Sequence, residues 1–298
     1  MQNAQKIFGS ILGGAIGDCL GGPYEGSHGP VTVDYRHHWR LSDDTLLTLA
    51  TCEAISSCGI VSPAAIADVF ATWFRKSRFV GLGASTYKAL FELSHGGHWA
   101  LVGRKGEMAA GNGAAMRVAP MAFVLDPKDA AARVLIRDVS RITHQNEEAY
   151  AGALAVSLAV RAAWEGTWAG ERDLIELVVK NLPDTNVRDR MVQLTSAAST
   201  CSLRDLARDF GCSGYVVESV PLALFGAQQI GSLGFRSMLE ELVSCGGDTD
   251  TIGSIAGQVA GALVGRQGLP EEMLGKIPEL GMITKIADEF AASVIRAV

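Results

Sequence analysis

No Cys-x-x-Cys pair occurs in this 298-residue chain, although it holds six cysteines. Scattered as Cys19, Cys52, Cys58, Cys201, Cys212 and Cys245, they suggest neither a zinc site nor a disulfide framework, and reduced thiols in a cytoplasmic protein fit best. Charge is also scarce. Charged residues make up 19% of the chain and the net charge is −6, so there is no basic stripe for a phosphate backbone, and nucleic acid is not the expected partner. Long apolar runs are missing as well: Ala149–Val160 and Ile252–Val264 fall short of the about 20 helical residues that span a bilayer, and no membrane association is expected. The apolar stretch Ile7 to Ile16 follows a single lysine, but Gly9, Gly13, Gly14 and Gly17 and the adjoining Asp18 suit a packed helix better than an export signal. Strand-like alternation is almost absent, with Thr32-Val33-Asp34-Tyr35 as the best extended candidate.

What is present is helical spacing. Ile7, Ile11, Leu12, Ala15 and Ile16 share one face, and Ile283, Ile286, Ala287, Phe290 and Val294 share another. The pattern predicts helices over about 5–20, 43–58, 63–76, 84–94, 113–124, 128–142, 146–164, 171–180, 185–198, 203–209, 216–230, 235–243, 249–265, 271–276 and 282–297. Hydrophobic residues at 48% can fill a large core. With no fixed-period repeat, low-complexity tract or interdomain linker, the chain reads as one all-α domain over 1–298. In the late helix Gly253, Gly257, Gly261 and Gly265 recur every fourth position, each costing ~1 kcal/mol relative to alanine. Such a stripe predicts a central helix that another backbone approaches closely.

Two acidic clusters carry the chemistry: Ser42-Asp43-Asp44-Thr45 and Gly246-Gly247-Asp248-Thr249-Asp250-Thr251. Each opens an apolar helix. Alone, the first would be an ordinary N-terminal cap, because serine or aspartate there satisfies free amides and complements the positive helix end. Two such clusters entering buried regions repel and lose hydration, so they need cations or protons. Adjacent carboxylates with hydroxyls are the hard-oxygen set that Mg²⁺, Mn²⁺ or Ca²⁺ prefers, and the pair reads as a split dinuclear site. Between them, Gly111-Asn112-Gly113-Ala114-Ala115-Met116-Arg117 and Gly81-Leu82-Gly83-Ala84-Ser85-Thr86 are small-residue loops whose backbone amides could approach an anion. His95-Gly96-Gly97-His98 lacks supporting cysteine or carboxylate ligands and reads as a loop.

Taken in order, Gly13-Gly14-Ala15-Ile16-Gly17-Asp18-Cys19-Leu20-Gly21 with Glu25, then Ser42–Thr45, Gly81–Thr86, Gly111–Arg117, Thr143-His144 and Gly246–Gly253, the chain resembles the ADP-ribosylglycohydrolase family. The stretch 165–240 carries no matching motif, and Ser42 stands where the family usually has threonine. The resemblance implies a compact orthogonal multi-helix bundle with two Mg²⁺ or Mn²⁺ ions at the base of a cleft holding ADP-ribose. It implies that Ser42, Asp43 and Asp44 serve one ion, Asp248 and Thr251 the other, and Asp250 bridges both. Gly83, Ser85, Asn112, Gly113 and His144 would contact substrate. Glu25, Asp43 and Asp250 would be catalytic, Glu25 positioning water or moving a proton, as carboxylates do in glycoside hydrolysis.

The activity implied is hydrolysis of the bond joining ADP-ribose to a modified protein side chain, with ADP-ribose as product. Glu25 leans the acceptor slightly toward an O-linked serine or threonine over an N-linked arginine. Two other readings compete: an inactive ADP-ribose-binding or structural, crystallin-like relative, and a phosphohydrolase using the same carboxylates. Product analysis separates the two enzymes, since only the latter releases AMP.

Overall fold

The computed structural model describes residues 2–170, 173–197 and 201–297. In chain order the α-helices are α1 (Gln2–Gly21), α2 (Asp43–Cys58), α3 (Pro63–Arg75), α4 (Ala84–Ser94), α5 (Trp99–Val102), α6 (Ala119–Ala122), α7 (Ala130–Arg141), α8 (Glu147–Glu165), α9 (Leu174–Val179), α10 (Asn186–Ala197), α11 (Leu203–Phe210), α12 (Val216–Ala227), α13 (Ile230–Ser244), α14 (Thr249–Val264), α15 (Glu271–Leu274) and α16 (Leu280–Ala297). The fold is all-α, as the sequence predicts. Sheet is confined to two-residue pairs: β1 (Ser27–His28) runs antiparallel to β4 (Gly246–Gly247), and β2 (Arg104–Lys105) runs parallel to β3 (His144–Gln145).

Local chemistry explains the helix ends. Ser42 accepts the Asp44 amide at the start of α2, and Gly59 closes that helix in the left-handed conformation at φ 71°. Ser62 followed by Pro63 opens α3, while Asn146 and Gly166 cap α8 at its two ends. The helix expected over 113–124 is broken. A 3-10 turn spans Asn112–Arg117 and α6 restarts beyond it, because Pro120 has no amide to continue the ladder. Gly234, at φ 74°, kinks α13. The short α5 follows the His95–His98 segment and has no counterpart among the expected helices. The expected helix start at 171 and helix end at 198 lie outside the described residues.

Thr32–Tyr35, the best extended candidate, joins no strand, and a turn begins at Tyr35. The Asp34 amide donates to the Tyr24 hydroxyl at 2.5 Å, and the Asp34 carboxylate accepts the Arg36 amide at 2.9 Å in a local turn. The Asp34 amide is therefore spent on a side chain and is not free to pair with a neighbouring strand.

The centre of the fold is a seam between α1 and α14, which lie antiparallel. A methyl on Gly13 would run into the Gly257 carbonyl, one on Gly17 into Gly253, and one on Gly9 into Gly261. The glycine stripe of α14 thus meets a second stripe in α1, and backbones touch where side chains would normally stand. The Thr249 hydroxyl donates to the Gly21 carbonyl at 2.8 Å and pins the seam at the end nearest the acidic clusters.

Candidate functional site

The seam carries Asp18, fully buried in α1, to the N-terminus of α2. Its carboxylate accepts the Ser42 amide at 3.0 and 3.2 Å, the Thr45 amide at 3.3 Å and the Thr45 hydroxyl at 2.5 Å. Free amides and the helix dipole both favour an anion there. Burial nevertheless pushes the Asp18 carboxyl above its usual range. Asp44, on the first turn of α2, is also buried. Its Oδ2 accepts the Ser42 hydroxyl at 3.0 Å and the Thr251 hydroxyl at 3.2 Å, but its Oδ1 has no partner.

The second cluster is set by backbone geometry. Gly246 and Gly247 sit at φ 75° and 78°, where a side chain would be strained, and a methyl on Gly247 would collide with the Cys212 carbonyl. The turn they make delivers Asp248 to the start of α14 and Asp250 to its first turn. Pairing of β1 with β4, extended by the Gly26 amide on the Gly247 carbonyl at 2.8 Å, brings the Glu25 loop alongside.

The carboxylates fall into two groups whose ligand atoms lie within 4.8 Å of one another: Asp18, Asp44 and Asp250 below, and Glu25, Asp248 and Asp250 at the mouth. Asp250 belongs to both. Burial, then the charge of Asp248 and Glu25 beside it, pushes Asp250 up to about 9. Burial and the Asp18 charge push Asp43 up to about 8, against hydrogen bonds from its own amide and that of Gly83. Asp44 is driven well above the carboxylate range by burial and by Asp250, and Glu25 is raised by burial and Asp248. Among the described residues, none of these carboxylates is in an ion pair. An unpartnered buried Asp44 oxygen and crowded carboxylates without ion pairs fit divalent metal ions with oxygen ligands.

Above the carboxylates is a cleft of about 270 Å³. Glu25, Asp43, Asp44, Gly83, Ser85, Asn112, Gly113, His144, Asp248, Asp250 and Thr251 all line it. Ser42 does not; its hydroxyl is occupied by the cap and by Asp44. Asn112 donates to Asp248 Oδ2 at 2.6 Å and to the Ser219 hydroxyl at 3.1 Å, which orients the carboxylate. The Asn112 amide in turn binds the Gly214 carbonyl at 3.1 Å. Gly111 and Gly113 leave room for the His144 ring, since a methyl on Gly113 would stand 2.8 Å from its Cε1. Burial and the nearby Arg117 and Arg104 push His144 down to about 3, so the ring is neutral. His95 and His98 lie in a solvent-exposed connection, His95 ending α4 and His98 capping α5.

Asp18, in the lower carboxylate group, and Arg104, in the cleft wall, are not among the site residues expected from the sequence; nor is Arg117, which lies behind the wall on the Gly113 carbonyl. Asp18 left one signal: a lone carboxylate inside a glycine-rich apolar helix must find polar partners. Arg104 left none, because its place in the wall depends on β2 pairing with β3.

The sequence model of the ADP-ribosylglycohydrolase family matches residues 1–297. The chain is 29% identical to the ADP-ribosyl-[dinitrogen reductase] glycohydrolase of Rhodospirillum rubrum, the match covering 91% of this chain and 90% of that one. It is 28% identical to the ADP-ribosylarginine hydrolase Tri1 of Pseudomonas putida, over 97% and 78% of the two chains, and 26% identical to human ADP-ribosylhydrolase ARH3, over 91% and 88%. A solved structure, described as an ADP-ribosylglycohydrolase-related protein complex, superposes with a TM-score of 0.71 at 24% identity, covering 98% of this chain and 99% of that one, and shares the fold. With its motifs, its helical architecture and this full-length match in agreement, the chain belongs to the ADP-ribosylglycohydrolase family.

Proposed function

We propose that the cleft binds ADP-ribose and that the protein hydrolyses the bond between the ribose anomeric carbon and a modified protein side chain. The observation that carries this reading is Asp250, shared by two carboxylate groups at the floor of a cleft whose walls are small-residue loops. Asp18, Asp44 and Asp250 would hold one Mg²⁺ or Mn²⁺, with the Thr251 hydroxyl close to Asp44. Asp248, Asp250 and Glu25 would hold or face the other. Bound there, the ions would grip ribose hydroxyls and polarise a reacting oxygen.

The remaining work falls to the chain. Asn112 fixes Asp248 by its 2.6 Å hydrogen bond. The Gly83, Ser85, Asn112 and Gly113 segments and His144 form a wall for the diphosphate and proximal ribose. Glu25 stands exposed at the mouth, and its raised pKa suits a group that takes a proton from water as the acceptor departs. Passed on from Glu25, that proton would go to the leaving oxygen of an O-linked serine or threonine acceptor.

The test is product release. Arg-, Ser-, Thr- and Cys-linked ADP-ribosyl peptides are incubated with the protein and Mg²⁺ or Mn²⁺, and intact ADP-ribose is the expected product from at least one of them. AMP as the product, or no binding of ADP-ribose with either metal, would overturn the proposal.

A further inference from the structure

Arg117 is buried to 1% exposure and, among the described residues, makes no ion pair. Its guanidinium donates to the Gly113 carbonyl, to Thr143 Oγ1 at 2.7 Å and to the Val139 carbonyl at 3.4 Å, and it lies 5.4 Å from the centre of the Phe70 ring. Burying a charge this deeply without a direct ion pair is costly, the nearby Asp43 charge offsetting only part of the burial, and it calls for a reason.

Donor and acceptor accounting supplies one. A guanidinium can only donate, so Thr143 Oγ1 must accept from Arg117. Thr143 is itself fully buried and has a single hydroxyl proton to place. His144 Nδ1 lies 2.7 Å from that oxygen. Were Nδ1 protonated, the hydroxyl proton would be left without an acceptor in the interior, where an unmade hydrogen bond is expensive. Nδ1 therefore accepts. A neutral imidazole then carries its one proton on Nε2, the nitrogen beside Gly111, where a methyl would sit 3.1 Å away. His144 lines the cleft, and among the described residues Nε2 has no hydrogen-bond partner.

We propose that Arg117 and Thr143 are positioning residues that set the tautomer of His144, so that its Nε2–H is presented to an oxygen of the bound ligand. Which oxygen receives it, on the diphosphate or a ribose, rests on the ADP-ribose reading above; the tautomer does not. The relay also fixes the loop, because the same guanidinium holds the Gly113 carbonyl and the Thr143 hydroxyl together.

Nitrogen-15 histidine labelling reads the tautomer directly in the ligand-free protein. The expected spectrum has His144 Nε2 protonated and Nδ1 unprotonated; the reverse assignment would overturn the relay. Thr143→Val removes the proton donor, and the expected result is a mixed tautomer with ADP-ribose binding weakened about tenfold, as for one lost hydrogen bond. The loss should appear in KM more than in kcat. Thr143→Ser should restore both tautomer and affinity, an outcome that mere packing of a methyl would not give. Unchanged tautomer and affinity in Thr143→Val would overturn the proposal, and should that variant not fold, the wild-type and Thr143→Ser spectra still decide. Failure of ADP-ribose to bind the wild-type protein would instead overturn the ADP-ribose reading, the tautomer being measured without it.

Discussion

At the scale of single residues, the proposed site would separate groups that hold from groups that act. Asp250 is common to both carboxylate groups, whereas Asp43 lines the wall and belongs to neither. Asp250→Ala should therefore abolish turnover together with divalent-metal binding, as measured by calorimetry with Mn²⁺. Asp43→Ala should also abolish turnover yet lose less metal affinity, and equal metal loss in the two variants would contradict this division. Glu25 stands at the mouth, so Glu25→Gln should lower kcat by about 10²–10⁴, the usual contribution of a general acid or base, with ADP-ribose affinity nearly unchanged. An unchanged rate in that variant removes Glu25 from the mechanism.

At the scale of elements, the seam between α1 and α14 is the most exposed to substitution. Gly257→Ala gains about 1 kcal/mol of helix propensity but drives a methyl into the Gly13 carbonyl, where only backbone can yield. Overpacking of this kind costs about 1–3 kcal/mol, so a lowered urea midpoint at unchanged slope is expected, and a raised midpoint would show that the helices part freely. Helix positions were legible in the sequence because their signals are local: Ser42, Ser62 and Asn146 at starts, Gly59 and Gly166 at ends, apolar spacing between. The glycine stripe of α14 announced a close neighbour without saying which. That α1 is the neighbour follows from complementary stripes far apart in the chain, a relation no single window contains. Asp18 stayed hidden for the same reason, since the amides it binds lie 24 and 27 residues away. Thr32–Tyr35 pairs with no strand because the Asp34 amide and carboxylate are engaged by side-chain hydrogen bonds that its β-branched residues do not announce.

At the scale of the whole molecule, the crowded carboxylates should make stability depend on pH and, on the metal reading proposed above, on divalent cations. Unfolded aspartates titrate near about 3.9, whereas in the fold Asp43 is pushed up to about 8 and Asp250 to about 9. Between those values the native protein retains protons that the unfolded chain releases, so without metal its stability should fall as pH rises from about 4 to 9. The cost is absent below the unfolded value and complete above the folded ones. Divalent cations compete with those protons, so the rise in Tm on adding Mg²⁺ or Mn²⁺ should grow with pH over the same window. Melting curves with EDTA or Mn²⁺ at pH 5, 7 and 8.5 check this, and a metal effect independent of pH would mean that the cations bind elsewhere.

The seam also sets a clock. A ribosome that has released α1 and α2 has already made Asp18, Asp43 and Asp44, but α14 emerges some 200 residues later. Until its glycines dock on α1, a nascent chain would have only part of the carboxylate cluster, so on the metal reading proposed above an ion could be held by all of its ligands only after α14 is in place.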